Sequence, residues 1–164
     1  MAASASPAEN APSYDLITHD SQRLNKIAAL RGPMRTVPLF QDLAPGTIDE
    51  IAWLAQPREY AAGETLVRQG ESGDELLVIM EGEARVERDG SGVATINSGD
   101  YLGEMALLDG KPRSATVIAR SPISALALQR HSFDHLMDTI PPLRGRILLN
   151  LVARLRARSD TYLD

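Results

Sequence analysis

Nine of the chain's twelve glycines lie between Gly63 and Gly110, and short apolar runs separate them: Thr65–Val67, Leu76–Met80, Ala84–Val86 and Val93–Ile96. A helix across this stretch would carry a glycine every few residues, each costing about 1 kcal/mol relative to alanine. Short strands joined by glycine turns carry no such cost, so the stretch predicts a small barrel or sandwich. Asp89-Gly90 and Ser98-Gly99 mark two of the turns, because glycine tolerates a positive φ. Two further runs follow, Ala115–Ala119 and Ile123–Leu128. In the last, Ile123, Ala125 and Ala127 alternate with Ser124, Leu126 and Leu128, so both faces of that strand are largely apolar. Hydrophobic residues make up 43 % of the chain but aromatics only 4 %, so the core is built mainly from Leu, Ile, Val and Ala.

The flanks have a helical texture. Residues 1–20 are small and polar, and are expected to be a disordered tail. The segment 21–31 places Leu24, Ile27, Ala28 and Leu30 at near-helical spacing, with Gly32 and Pro33 expected to end the helix and a linker running to residue 38. Val37, Leu39 and Phe40 form a short apolar entry to the main domain, expected over 39–164. Thr47 with Glu50 has the spacing of a capping box, and Ile48, Ile51, Ala52 and Leu54 follow as a second short helix. After Gln129, Ser132 is placed to cap a helix through Met137, and Pro141-Pro142 starts a last helix over 142–158. No internal repeat is visible. The expected fold is α+β: a β-roll, a jelly-roll-like barrel, with N-terminal helices and a C-terminal lid helix pair.

Several function classes fall away. The net charge is −5, from 17 basic and 22 acidic residues, the wrong balance for a protein that coats nucleic acid. There is no cysteine, so disulfides and thiolate metal sites are excluded. No stretch approaches the roughly 20 apolar residues of a membrane span. The start lacks the basic region and long apolar run of a secretory signal. A cytoplasmic setting is expected.

The chemistry concentrates in Gly103 to Val117, GEMALLDGKPRSATV. A glycine precedes one short run of helix formers, Glu104 to Leu108, and the first N–H groups of such a turn are unpaired and attract an anion. Asp109-Gly110 ends the turn. Pro112 fixes the backbone before Arg113, whose fork of donors matches two phosphate oxygens. Ser114 adds a hydroxyl and a backbone N–H. A carboxylate at Glu104 beside an anion site makes sense if it accepts a hydrogen bond from a sugar hydroxyl. Phosphate plus ribose hydroxyl describes a nucleotide. Taken singly, Arg113 also reads as a surface arginine paired with Asp109, and Glu104 as a first-turn acid favoured by the helix dipole.

Over these residues the chain resembles the cyclic-nucleotide-binding domain family. The match is to its phosphate-binding cassette, G-E-(apolar)-A-L-(apolar), a short variable stretch, then P-R-(small)-A-T-V. The resemblance runs upstream through Glu81-Gly82, Gly73 and Gly70 to Gly63, and downstream through Ile123, Leu126, Leu128 and Phe133, covering roughly residues 35–160. It is closest in character to the domains that gate prokaryotic potassium channels. It implies that Glu104 binds the ribose 2′-hydroxyl and Arg113 the cyclic phosphate, with the backbone of Gly103, Glu104, Met105 and Ala106 completing the anion cradle. The ligand implied is cAMP or cGMP, with no further cofactor and no catalysis. Position 114 is serine where a threonine often favours cGMP, which tilts the choice to cAMP.

Other functions fit these residues less well. A cupin-type metalloenzyme needs histidines inside its barrel, and none lies between His19 and His131. His131 and His135 have metal-ligand spacing beside Asp134 and Asp138, but read better as an exposed polar helix face. Ser/His catalysis has no supporting motif. A catabolite-activator-type regulator shares the sensing domain but continues into a helix-turn-helix, for which the chain leaves no room before Asp164. The expectation is a stand-alone sensor or a piece of a larger protein, with an unknown effector or fused domain as partner. A structural interaction module that has lost its nucleotide is the runner-up. On the last helix, Leu143, Ile147, Leu148, Leu151, Val152 and Leu155 form one apolar face, with Arg154 and Arg158 among them. Arg154 either packs its stem and snorkels, or caps a ligand between helix and barrel. The family resemblance places a purine-contacting arginine here.

Overall fold

The computed structural model describes residues 13–161, with side chains described from 18 to 157. Helix α1 (Ser13–Met34) leads through a 3-10 turn (Pro38–Phe40) into α2 (Pro45–Leu54). Strands β1 (Gln56–Tyr60), β2 (Thr65–Val67), β3 (Glu75–Glu81), β4 (Ala84–Arg88), β5 (Ser91–Ile96) and β6 (Tyr101–Leu102) follow. The short helix α3 (Glu104–Asp109), strands β7 (Thr116–Ala119) and β8 (Ile123–Gln129), and helices α4 (Arg130–Thr139) and α5 (Pro141–Thr161) complete the order. The strands make two antiparallel sheets, β1-β8-β3-β6 and β2-β7-β4-β5. This is the α+β β-roll with flanking helices.

The two-faced pattern of β8 divides the interior in two. Ile123, Ala125 and Ala127 face the barrel with Leu77, Ile79 and Val117. Leu126 and Leu128 face the helices, packed with Leu76, Val78, Phe40, Ile51, Phe133 and Leu136. Register holds both sets in place, with Leu76 opposite Leu128 and Val78 opposite Leu126. The β4–β5 hairpin turns at Asp89 and Gly90, with φ of 52° and 79°. Two consecutive positive φ angles match the twist of the strands they join.

Several expectations are corrected. No breaker lies between Tyr14 and Gly32, so α1 begins at Ser13, inside the expected tail; residues 1–12 of that tail lie outside the described residues. The expected stop at Gly32-Pro33 falls within a residue of the observed end: α1 runs to Met34, and Pro33 lacks the N–H that would continue the helical ladder. The chain leaves the helix through tighter bonds, Thr36 N–H to Pro33 O at 3.1 Å and Val37 N–H to Met34 O at 3.1 Å. Helix α2 starts at Pro45, so Thr47 sits inside its first turn and caps nothing. Ser132 likewise lies within α4, which starts at Arg130. Strand β1, QPREY, has too little apolar character to signal itself; it forms because β8 supplies a pairing edge, and Pro57 is tolerated on an outer strand. The apolar face of α5 is split: Leu143 and Ile147 are buried, whereas Leu148, Val152 and Leu155 are each 45 % to 47 % exposed.

Candidate ligand-binding site

The cassette opens where β6 ends. Gly103 sits at the N-terminus of α3 with φ 100°, a conformation that favours glycine. Space demands the glycine as well: a Cβ here would lie 2.7 Å from Glu75 O and against Arg113 Nη1. Gly110, also in the left-handed region, closes α3, its N–H donating to Ala106 O at 3.0 Å.

Arg113 is fixed at both backbone and side chain. Its N–H donates to Glu71 O at 2.8 Å, and its carbonyl accepts from Gly70 N–H at 2.9 Å. Its Nη2 donates to Glu75 O at 2.9 Å, and the residue is only 8 % exposed. Gly73 packs directly on the guanidinium; a Cβ there would lie 2.6 Å from Arg113 Cζ and 2.9 Å from the Ala106 side chain. Nη1 is buried and without a hydrogen-bond partner. Leaving such a donor unsatisfied costs about 1–3 kcal/mol, more for a charged group. Burial pulls the guanidinium below its ordinary pKa, opposed by the carboxylates of Glu75, Asp74 and Glu104. Asp109, considered as its partner from sequence, instead accepts from Lys111 N–H at 2.9 Å.

Glu104 is 2 % exposed. Its Oε1 accepts from Arg154 Nη1 at 2.5 Å, so α5 reaches across to the cassette. Arg154 Nη2 also donates to Tyr101 O at 2.9 Å, and the guanidinium lies 5.0 Å from the centre of the Tyr101 ring. Asn150, one turn earlier, donates to the Tyr101 hydroxyl at 3.0 Å. Burial raises the Tyr101 pKa, against the lowering effect of that hydrogen bond. Arg154 therefore has a structural use that the helical wheel alone did not reveal.

All seven residues singled out in the sequence line one cavity of about 810 Å³: Gly103, Glu104, Met105, Ala106, Arg113, Ser114 and Arg154. The volume is in the range of small-molecule clefts. The cassette lines it together with Val86, Arg88 and Thr95 of β4 and β5 and Leu155 of α5. A buried cation with a free donor and a buried carboxylate on one concave wall can take an anion and a hydroxyl side by side. The sequence pattern described as the cyclic nucleotide-binding domain matches residues 57–140.

The chain belongs to the cyclic nucleotide-binding domain family. It is similar to a cyclic nucleotide-gated potassium channel of Rhizobium etli, with 39 % identity over 68 % of this chain and 31 % of the channel. It therefore spans less than a third of that relative. The structure of cAMP-bound PfPKA-R aligns with TM-score 0.81 and 26 % identity, over 92 % of this chain and 53 % of that one. The catabolite activator protein of Thermus thermophilus aligns with TM-score 0.70 and 33 % identity, over 77 % of this chain and 62 % of that one.

As a cyclic nucleotide-binding domain it is a regulatory fold, and some residues that shape its site gave no signal in the sequence. Tyr101 joins α5 to the cassette through its backbone carbonyl, ring and hydroxyl. The i, i+4 spacing of Asn150 and Arg154 was the one available clue to their shared partner. Arg88 Nε donates to Ser114 O at 3.2 Å and ties the cassette's exit to the hairpin. The histidines serve elsewhere: His135 Nε2 lies 2.7 Å from Glu50 Oε1, bridging α4 and α2. Arg158, the second arginine of the helical wheel, has its side chain outside the described residues.

Proposed function

We propose that this domain senses a purine cyclic nucleotide, cAMP in preference to cGMP, and passes the binding event to its C-terminal helix. The observation that carries the reading is the buried, unpartnered Nη1 of Arg113 beside the buried Glu104 on one cavity wall. A cyclic phosphate would satisfy that donor, with the backbone of Gly103, Glu104, Met105 and Ala106 and the hydroxyl of Ser114 around it. A ribose 2′-hydroxyl would donate to Glu104 and share or replace the Arg154 contact. Serine at 114 supports the choice of cAMP. Arg154 would meet the base from α5, a guanidinium stacking well on a flat ring.

Ligand binding would thus change the Arg154–Glu104–Tyr101 contacts that hold α5. A ligand shifts such an equilibrium only by its differential affinity for the two arrangements. The domain would run no chemical step, act in the cytoplasm, and signal to a protein effector or a fused domain. No described helix is long and apolar enough to cross a membrane. Titration calorimetry with cAMP and with cGMP tests the reading. Saturable heat with cAMP, and weaker heat with cGMP, is expected. No binding of either at millimolar ligand would overturn it and leave the structural interaction module.

A further inference from the structure

Arg130 is the first residue of α4 and lines a second cavity of about 430 Å³, which shares Val67 and Arg113 with the cavity the cassette faces. It grips both the loop that packs on Arg113 and the last turn of α3. Its backbone N–H donates to Asp74 O at 2.7 Å, and its Nη2 to Gly73 O at 3.0 Å, which holds the loop between β2 and β3. Its Nη1 donates to Leu107 O at 3.1 Å, and Nη2 also approaches Ala106 O at 3.5 Å. Those carbonyls belong to the last turn of α3, where a cation is favoured; Ala106 O already accepts the Gly110 N–H at 3.0 Å, and Arg130 adds to it. Gly73, whose carbonyl it holds, packs directly on the Arg113 guanidinium, and a Cβ there would also lie 2.9 Å from the Ala106 side chain. The rigid planar fork of arginine can bond two carbonyl walls at once; a lysine ammonium on a flexible stem cannot fix their spacing in the same way.

We propose that Arg130 is a positioning residue: it sets the spacing between the 70–74 loop and the last turn of α3, thereby aims the Arg113 guanidinium at the anion site, and joins that site to α4. This rests on the reading of Arg113 as the phosphate-binding residue. The site would then report to the helix pair by two routes, Arg154 to α5 and Arg130 to α4. The second route acts mainly through backbone carbonyls, joined by one ion pair from Arg130 Nε to Asp74 Oδ1 at 3.5 Å.

The test is a double-mutant cycle read by calorimetry with cAMP, using the whole chain. Arg130→Ala should weaken binding about 10-fold, within the range for coupled residues. Arg113→Lys replaces the oriented fork by a point charge, which has less need of aiming. In that background Arg130→Ala should cost less than about 2-fold. Thermal unfolding of the same four proteins supplies the control: a merely structural Arg130 would lower the melting temperature and weaken cAMP equally in both backgrounds. Equal losses in both backgrounds would overturn the inference. Should Arg130→Ala not fold, Arg130→Lys keeps the charge and stem, and the same cycle applies with the same criterion. Failure of the unaltered chain to bind cAMP would overturn the underlying reading and this inference with it; binding with additive losses would overturn the inference alone.

Discussion

Arg113→Ala separates binding from folding unusually cleanly at this site. In the folded protein the side chain contributes one charge-assisted hydrogen bond, Nη2 to Glu75 O at 2.9 Å. A bond of that kind is worth about 1.5–3 kcal/mol. Against it stands the buried, unpartnered Nη1, which costs about 1–3 kcal/mol. The two nearly cancel, so truncation should leave the domain folded, with a melting temperature within a few degrees of the unaltered protein, since about 1 kcal/mol moves it by roughly 2–8 °C. Binding has no such compensation. Removing one partner of a buried charge pair costs about 2–5 kcal/mol, and each 1.4 kcal/mol is tenfold. Affinity for cAMP should therefore fall at least about 30-fold. Calorimetry for affinity and differential scanning for folding, on the same preparation, check both halves. An affinity within about threefold of the unaltered protein would refute the phosphate assignment, whatever the melting temperature.

Gly73→Ala should weaken cAMP as well, because its Cβ would lie 2.6 Å from Arg113 Cζ and displace the guanidinium; calorimetry alongside Arg113→Ala measures it, and no change would show that the glycine is not needed for aiming. Glu104→Gln and removal of the ligand's 2′-hydroxyl should be strongly non-additive, since both delete one interaction; strictly additive losses would place Glu104 in another role. Arg154→Ala should weaken cAMP less than Arg113→Ala does, and should reduce ligand-induced protection of residues 141–158 in hydrogen exchange; equal protection in both proteins would remove the lid role. Leu136→Ala, at a fully buried position between the helices and β8, should destabilise the fold by about 2–5 kcal/mol in denaturant unfolding.

The sequence by itself determined the β-roll and the cassette, for reasons visible in particular residues. Glycine punctuation between short apolar runs leaves strands as the economical backbone, and the alternation in Ile123–Leu128 foretells a strand buried on both faces. The cassette was legible because its chemistry is local: Gly103, Glu104, Arg113 and Ser114 fall within twelve residues. What the tertiary structure alone decided is everything carried by pairing or by backbone carbonyls. QPREY is a strand only because β8 offers an edge, and Tyr101–Leu102 because β3 does. Arg154 looked like a charge misplaced on an apolar arc, yet it meets Glu104 fifty positions away. Arg130 could not be found from sequence, because apart from the Asp74 carboxylate its partners are the carbonyls of Gly73, Ala106 and Leu107, a group every residue presents identically. Side-chain identity encodes what a residue offers; only the folded path of the chain decides which carbonyl comes within reach.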